Sequence, residues 1–362
     1  MNSALVIFVI IFFVYLSLKN KNDQETARRK LIIWGCTLLA IESGLRHIAV
    51  GPDTIGYYAN YCINRDASWA ELIAKEFVSW AEWRDGGYPL FAKLCGSILY
   101  YWHFYLLFIC GLYYYAVGSL LVRYSETIKG VLLAFALLCS LFHVIPMSGT
   151  RQQLTMTLSM FLIPLIEDKK WKPVLAFGLV GCTLHISMLF TFLFIPLMYL
   201  RNTSHKKLLA AAIAIIPVVA SMGKQIVGFM ASFIANDYYS QYAQTEQVKI
   251  PIVYILICSI ISVFVLFNYK KLSDAPRFFT ASVALLTFFM PLIVVDGAMI
   301  RIGQYYTIYL IIVLPYLFNR VGIRDLVYAS SFCILLFYIY IAVQPYYLFF
   351  QDVAELQYWY GY

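Results

Sequence analysis

The sequence predicts an all-α polytopic membrane protein, and three observations support this fold class. Hydrophobic residues make up 62% of the 362 residues and charged residues only 13%, whereas a soluble domain carries about 25% charged residues. The mean hydropathy is +0.74. Apolar runs of about 18–20 residues, long enough to cross a bilayer as a helix, recur along the chain. Because the hydrocarbon core offers no partners to backbone groups, these runs are predicted to be helices.

Twelve transmembrane helices fit this pattern, in a single integral membrane domain that comprises residues 1–362. Several of them are short, and we expect the pair 173–185 and 187–200 to be tilted or broken, because about 20 helical residues are needed to cross the hydrocarbon core. The predicted spans are 3–18, 31–48, 103–121, 130–146, 149–166, 173–185, 187–200, 208–222, 251–267, 278–295, 301–318 and 326–343.

Most of the basic residues lie on one side of the predicted twelve-helix topology. Short connections on that side carry 18 of the 27 Lys and Arg residues, against 7 of the 19 acidic residues. By the positive-inside rule this side is cytoplasmic, so both termini are predicted to lie outside. This asymmetry explains the net charge of +8, and no nucleic-acid partner is expected.

Three predicted outer segments are long: 49–102, 223–250 and the tail 344–362. In the first, Ser68 and Glu71 have the spacing of a capping box, which predicts the start of an amphipathic helix in the membrane interface. A second short helix is predicted after the Gly-Gly pair of the same segment. The first two segments are either solvated connections with interfacial anchors or a lid over an outer cavity. The aromatic tail is typical of an interfacial belt, with a sugar-stacking surface as the alternative.

The spacing of the cysteines and the absence of several familiar motifs argue against metal, nucleotide and cofactor chemistry. The eight cysteines form no C-x-x-C pair and have no metal-ligand spacing, so we interpret them as small apolar residues of the helices. The sequence contains no G-x-G-x-x-G, Walker A, H-E-x-x-H or D-x-D motif. We therefore expect no metal site and no cofactor.

Arginines at the predicted outer ends of spans are the main candidates for chemistry. Arg46, Arg151 and Arg301 stand at about one depth, against the positive-inside trend. An arginine near lipid is costly unless it is paired or faces a polar cavity. Each of the three either snorkels to the interface, pairs with a nearby aspartate, or grips a pyrophosphate through its bidentate donors. Histidines near the same boundary are interpreted as interfacial, except for His185, which lies in a polar turn.

The polar residues lie in short segments that carry a family resemblance. These segments are G-L-R-H-I-A-V-G-P-D-T-I-G-Y-Y (44–58), R-D-G-G-Y (84–88), G-T-R-Q-Q (149–153), H-I-S (185–187) and R-I-G-Q-Y-Y (301–306). In this order and at this spacing they resemble the EpsG family, the Wzy-like polysaccharide polymerases of bacterial surface glycans. Ile186 stands where that family usually has proline.

The resemblance implies a GT-C-like membrane glycosyltransferase at the periplasmic face of the bacterial inner membrane. Such an enzyme joins undecaprenyl-diphosphate-linked repeat units into O-antigen, capsule or exopolysaccharide. Donor and acceptor are both lipid-linked glycans, and undecaprenyl diphosphate is the leaving group. The expected diphosphate ligands are Arg46, Arg151 and Arg301. A chain-length regulator and a flippase of the same pathway are expected partners.

An acceptor hydroxyl needs a group that takes its proton in the transition state. Asp53 is the first candidate for this base, followed by Asp85 and His185. Asp53 equally fits a structural role, either as the partner of Arg46 or as the cap of a helix that begins near Thr54. Secondary substrate contacts are expected from Thr54, Tyr57, Gln152, Ser187 and Tyr305.

Two other functions remain open at the level of the sequence. A flippase or other transporter of lipid-linked oligosaccharide binds its substrate near the bilayer midplane and often contains internal repeats. Here the polar residues concentrate at one boundary, and we find no repeat. An O-antigen ligase shares the enzyme class and much of the expected site.

The topology yields the first testable prediction. Single cysteines at positions 60 and 240 are expected to react with a membrane-impermeant maleimide added outside the cell. Those at positions 24 and 168 are expected to react only after permeabilisation, because the basic side faces the cytoplasm. Labelling of position 24 in intact cells would reverse the topology and move the site to the cytoplasm.

Overall fold

The chain forms helices that are divided between two compact units. The computed structural model describes residues 3–48, 50–51, 53–78, 85–147, 149–200, 202–234, 252–296 and 299–322. Within these ranges all regular secondary structure is helical. The first unit contains the described residues up to Met188, and the second comprises Leu189–Gly322. The single integral membrane domain expected from the sequence stays a prediction.

The first unit contains ten α-helices within its described residues. A π-helical turn at Leu138–Phe142 follows the seventh. The helices are α1 (Ser3–Leu18), α2 (Gln24–Gly44), α3 (Thr54–Asp66), α4 (Trp69–Val78), α5 (Gly87–Ile98), α6 (Trp102–Tyr124), α7 (Ile128–Leu137), α8 (Val144–Met147), α9 (Thr150–Glu167) and α10 (Trp171–Leu184).

The second unit has shorter helices and an aromatic core. A 3-10 helix, Ile186–Leu193, leads into it. The rings of Phe289 and Tyr306 stack with centroids 5.7 Å apart, and the Tyr306 hydroxyl donates to the carbonyl oxygen of Phe190. The helices are α11 (Phe194–Met198), α12 (Asn202–Ala214), α13 (Ile216–Ser221), α14 (Gly223–Ile234), α15 (Ile252–Phe267), α16 (Arg277–Phe289), α17 (Ile300–Thr307) and α18 (Leu310–Val321), with 3-10 turns at Tyr269–Leu272 and Met290–Val294.

The apolar helices are those of a membrane protein, but the count of twelve spans and the GT-C-like arrangement are not confirmed. Among the described residues, Trp102–Tyr124 and Arg277–Val294 are each long and apolar enough to cross a bilayer. A third span results if Ile300–Thr307 and Leu310–Val321, bent by 46°, count as one. Shorter apolar helices lie in five other predicted spans: Leu5–Leu18, Ile128–Phe142, Trp171–Leu184, Ile186–Met198 and Tyr254–Phe267. The predicted span 326–343, the tail 344–362 and the end of the segment 223–250 lie outside the described residues.

The segment between α2 and α6, which the sequence predicts to lie outside, folds into three helices. Its capping box is confirmed, because the Glu71 N–H donates to Ser68 Oγ at 3.1 Å and the Ser68 N–H donates to Glu71 Oε2 at 2.9 Å. The second short helix expected after the Gly-Gly pair is α5. Beneath these helices, the rings of Tyr61 and Tyr105 stack at 4.4 Å beside Trp102. This aromatic layer packs α3 and α5 against α6.

At the opposite end of α6, a buried arginine binds the last carbonyl groups of the helix. Arg28 Nη1 donates to the carbonyl oxygens of Leu121, Val122 and Ser125 at 3.2, 3.2 and 2.6 Å. Its Nη2 pairs with Glu25 at 2.8 Å. Because the final carbonyls of a helix have no partner within the helix and carry its negative dipole end, a cation here stabilises the contact between α2 and α6.

We expect Arg28→Gln to lower the stability of the purified protein by about 2 kcal/mol, since it leaves buried carbonyl groups without a donor. A thermal-shift measurement in detergent detects this as a lower melting temperature. Arg29→Gln is the matched control, because Arg29 pairs with the same Glu25 while its side chain is 60% exposed, compared with 9% for Arg28. The control should change stability by no more than about 0.5 kcal/mol. Equal losses in the two variants would contradict this role of Arg28.

Candidate functional site

A buried carboxylate, that of Asp85, collects three donors at one end of the first unit. The Asp85 side chain, only 4% exposed, lies 3.1 Å from Arg151 Nη1 and 3.1 Å from His185 Nδ1. It also accepts the Ile186 backbone N–H at 2.9 Å. The residue has a left-handed backbone with φ 55°, which costs about 1–3 kcal/mol in a residue other than glycine. Buried charge and backbone strain at one residue are typical of a functional site.

The local sequence explains how Asp85 reaches these donors. Gly87 lies so close to the end of α10 that a Cβ there would stand 2.4 Å from Thr183 Oγ1. Only glycine permits this approach, which brings Asp85 to the turn that follows α10. Helix α10 ends at Leu184, and His185 is extended with φ −162°. The Ile186 N–H therefore points to the carboxylate instead of continuing the ladder of α10.

Arg151 is held on three sides while part of its side chain remains accessible. It lies in the first turn of α9, and its Nε donates to the Tyr57 hydroxyl at 3.4 Å. The guanidinium carbon is 5.8 Å from the ring centroid of Tyr57 and 5.9 Å from that of Tyr88, within the range of a cation–π contact. With 35% of its side chain exposed, Arg151 is fixed in direction and still open to an anion.

The electrostatics of Asp85 set its protonation state. Burial alone raises the pKa of the carboxyl group, but the hydrogen bond and charge of His185, the charge of Arg151 and the Ile186 N–H outweigh burial, so the pKa lies below its ordinary value. Since a carboxyl group ordinarily titrates near pH 4, Asp85 stays ionised at neutral pH. Its stabilising contribution is present above the unfolded-state pKa and is lost only as the pH falls through the lower folded-state value.

Of the residues predicted to make secondary substrate contacts, Tyr57, Gln152 and Ser187 lie in or beside the group formed by Asp85, Arg151 and His185. The hydroxyl of a fourth, Thr54, faces the backbone. Tyr57 contacts Arg151, and Ser187 donates to Gln152 Oε1 at 3.4 Å. Thr54 donates to the carbonyl oxygens of Val50 and Met147, so its hydroxyl fastens the turn before α3.

Asp53 precedes α3 without capping it through its side chain. Asp53 thus stands at the N-cap position of α3, where its carbonyl oxygen accepts from the Tyr57 N–H at 3.0 Å. Its role as the catalytic base stays a prediction.

Arg46 has a different environment from Arg151. It is 5% exposed, and its Nη1 donates to the Ser43 carbonyl oxygen at 2.7 Å and to Cys110 Sγ at 3.7 Å. Gln153 Nε2 donates to the same sulfur at 3.4 Å. Within the described part of the chain, Arg46 Nε and Nη2 have no hydrogen-bond partner.

The remaining candidates lie in the second unit. Arg301 is half-buried in the first turn of α17, and Tyr305 of the same helix is fully buried. That Arg301 converges with Arg46 and Arg151 stays a prediction.

Sequence reasoning missed a buried hydrogen-bonded histidine–glutamate pair in the first unit. His143 Nε2 lies 2.9 Å from Glu42 Oε2, and Ser43 Oγ contacts both the same carboxylate and the Tyr114 hydroxyl. The sequence places His143 at the interface, because nothing local gives it a partner. A glutamate within an apolar span was the available signal, since such a residue usually has a partner. No cluster suited to a metal ion occurs among the described residues.

The family of this chain follows from its similarity to known proteins. The EpsG family matches the chain over residues 29–360, which is nearly its whole length and includes every segment that carried the resemblance. No curated protein and no solved structure matches significantly. The chain is therefore an all-helical membrane protein that belongs to the EpsG family, the Wzy-like polymerase family.

Proposed function

We propose that this protein polymerises undecaprenyl-diphosphate-linked repeat units into a surface polysaccharide, at the periplasmic face of the bacterial inner membrane. The observation that carries the proposal is the group of Arg151, Asp85 and His185 in a chain of the EpsG family. Transfer of a glycan from a lipid diphosphate needs a fixed cation for the leaving group and an acceptor for one proton. This group contains both.

The proposed reaction is a single glycosyl transfer. The acceptor hydroxyl oxygen attacks the anomeric carbon of the donor, and a glycosidic bond forms as the bond from that carbon to the diphosphate oxygen breaks. The hydroxyl proton passes to a base of the protein, and undecaprenyl diphosphate leaves with the bonding electrons. The substrate itself supplies the energy, so no nucleotide is consumed. Arg151 stabilises the negative charge that develops on the diphosphate.

His185 is the base that best fits the contacts of this site. Its Nδ1 faces Asp85, so in the neutral ring Nδ1 carries the proton and Nε2 is left to accept one. Asp85 already has three donors and a lowered pKa, which makes it a weak base and a good positioning group for the imidazole. Asp53 remains the second candidate for the base. Arg46 and Arg301 remain further candidates for diphosphate binding, with Tyr57, Gln152 and Ser187 as neighbouring substrate contacts.

Deletion of the gene distinguishes this function from its two alternatives. Loss of a polymerase leaves single-repeat glycan on a gel ladder, whereas loss of a flippase leaves none. Loss of a ligase leaves long chains that are not attached to lipid A. Only the single-repeat pattern agrees with the proposal, and complementation with the intact gene should restore the ladder.

The first prediction from the site concerns Arg151. Lysine keeps the positive charge but lacks the planar fork that binds two oxygens, so Arg151→Lys should lower the polymerisation rate by about 10²–10³. The rate is measured on purified protein with lipid-linked repeat units. Arg65→Lys is the control, since Arg65 also lies over a tyrosine ring in the outer segment, 4.1 Å from the Tyr100 centroid. A fully active Arg151→Lys protein would remove Arg151 from the reaction.

The second prediction separates His185 from Asp85 by pH. His185→Gln should reduce the rate and abolish the acidic limb of a pH profile measured from about pH 5 to 8, because glutamine cannot take up the proton. Asp85→Asn should also reduce the rate, yet keep that limb, because Asp85 is ionised throughout this range. Asparagine tolerates the left-handed backbone at this position, so the variant removes mainly charge.

The control for the histidine variant is His103→Gln, which changes an exposed histidine at the start of α6. It should leave both the rate and the pH profile unchanged. An acidic limb that persists in His185→Gln at a near-normal rate would assign His185 to the scaffold and favour Asp53 as the base.

A further inference from the structure

A buried pair of hydroxyl groups connects the start of α6 to the surroundings of Arg151. The Tyr105 hydroxyl donates to the Tyr88 hydroxyl oxygen at 3.1 Å, and both residues are buried. The ring centroid of Tyr88 in turn lies 5.9 Å from the guanidinium carbon of Arg151. Tyr105 therefore stands one hydrogen bond away from a ring that flanks the arginine.

The Tyr88 ring is fixed at both ends. Its backbone N–H donates to the Asp85 carbonyl oxygen at 2.9 Å, and its hydroxyl oxygen accepts from Tyr105. Between these two points the ring meets that of Tyr57 edge to face, with centroids 5.8 Å apart and planes at 75°. A side chain whose buried polar groups are bonded in this way has little freedom to tilt. The ring is therefore a fixed wall beside the guanidinium of Arg151.

Tyr105 is itself fixed by the aromatic layer beneath α3 and α5. Its ring stacks on that of Tyr61 with centroids 4.4 Å apart, and it lies 5.4 Å from the ring of Trp102. Tyr61 is anchored in turn, because its hydroxyl donates to the Leu99 carbonyl oxygen at 2.5 Å. The Tyr105 hydroxyl is thus presented to Tyr88 from a closely packed surface.

Stability alone does not account for this hydroxyl pair. Two hydroxyl groups that are enclosed among rings lose their hydrogen bonds to water, and the bond between them largely offsets that loss. Phenylalanine at both positions would keep the shape of the rings and leave no hydroxyl to satisfy. Such an exchange of both partners is nearly neutral for stability. What a phenylalanine pair lacks is the directional bond that fixes the Tyr88 ring.

The Tyr88 side chain adds no charge beside Arg151. Burial raises the pKa of its hydroxyl, so the group is neutral at neutral pH and Asp85 is the anion that pairs with Arg151. The ring acts through its position and its π face. A guanidinium that is confined in this way needs little reorganisation when negative charge develops next to it, and this is the condition for stabilising a transition state.

We propose that Tyr105 is a positioning residue of the site, which holds the Arg151 guanidinium in its reactive orientation through Tyr88. The inference rests on the proposed function, because the orientation of Arg151 matters for a reaction in which negative charge develops on a diphosphate. The hydroxyl of Tyr105 then affects kcat, whereas KM for the lipid-linked repeat unit changes little, since a precise orientation is needed in the transition state.

The test begins with Tyr105→Phe, which removes the hydroxyl and keeps the ring stack. On the purified full-length protein with lipid-linked repeat units, we expect kcat to fall about five- to tenfold, the factor that corresponds to one hydrogen bond between neutral groups. KM should stay within about twofold of its normal value. Tyr88→Phe should cause the same loss. The double variant should lose no more than either single one, because the two hydroxyls act as one unit.

The double variant separates positioning from packing. Its melting temperature in detergent should be close to that of the unaltered protein, because neither hydroxyl is left without its partner, while its kcat stays low. A purely structural pair predicts instead that kcat recovers together with stability. Tyr61→Phe is the matched control, since it removes a buried hydroxyl of the same aromatic layer that bonds to the backbone of Leu99. It should lower the melting temperature and leave kcat unchanged.

The position of Arg151 can also be observed without substrate. In protein that contains isotope-labelled arginine, the NMR signal of the Arg151 Nε–H group is the one that Arg151→Lys removes. Tyr105→Phe and the double variant should shift this signal and accelerate its hydrogen exchange with water about five- to tenfold. Tyr61→Phe should leave the signal where it is.

The outcomes separate this inference from the proposed function. An unchanged kcat in Tyr105→Phe, a recovered kcat in the double variant, or an Arg151 signal that is the same in both would overturn the role of Tyr105. Polymerisation by the unaltered protein is measured in parallel. Polymerisation at the full rate without the two hydroxyls refutes this inference alone. An Arg151 signal that depends on Tyr105, in a protein that does not polymerise, refutes the polymerase and leaves the positioning of Arg151 standing.

Discussion

The end of the first unit that contains Arg151 and His185 depends on one ionised carboxylate that is removed from water. A buried charge is costly unless donors surround it, and Asp85 collects an arginine, a histidine and a backbone N–H from chain segments 66 to 101 residues away. No local feature of the sequence would otherwise bring these donors together. The carboxylate therefore determines where α9 begins relative to the turn after α10. It also gives Arg151 and His185 fixed orientations before any substrate arrives.

The parts of this architecture that could be predicted from the sequence are those that depend only on neighbouring residues. The capping box at Ser68 depends on two residues three positions apart, and it lies where the spacing predicts it. The apolar character of α6 is a property of one continuous stretch. Such features need no knowledge of tertiary contacts. They therefore follow from spacing and composition alone.

The site itself depends on contacts that spacing does not encode. The sequence ranks Asp53 before Asp85, because nothing local shows that Asp85 meets His185, which lies 100 residues further along the chain. The left-handed backbone of Asp85 and the close approach of Gly87 to its neighbour in α10 are tertiary features. The buried contact between Glu42 of α2 and His143 escapes sequence reasoning for the same reason. The motifs mark segments that carry polar residues, but only the fold decides which of their side chains meet.

Interruptions of the helices supply part of the polar environment. Helix α10 stops at Leu184, well short of a full membrane crossing, and the N–H that follows binds Asp85. A π-helical turn directly precedes His143, the partner of Glu42. Irregular backbone is tolerated at membrane depth only where protein or a polar cavity satisfies its polar groups. The short helices therefore do not show how many times the chain crosses the membrane. Their ends are nevertheless where polar backbone groups and side chains can form a site.

Arg46 and Arg151, the two candidate diphosphate ligands of the first unit, differ in how their charge is balanced, and this difference follows from their neighbours. The charge of Arg151 is matched by Asp85, so the proposed diphosphate pocket is close to neutral before it is occupied. In the proposed reaction, negative charge would grow next to a guanidinium that Asp85, Tyr57 and Tyr88 already hold in place. Little reorganisation is then required, which is the condition under which a fixed cation favours the transition state over the bound substrate. Arg46, by contrast, pairs with no carboxylate among the described residues, so under the proposed function it would attract an anion from the outset and favour binding over reaction.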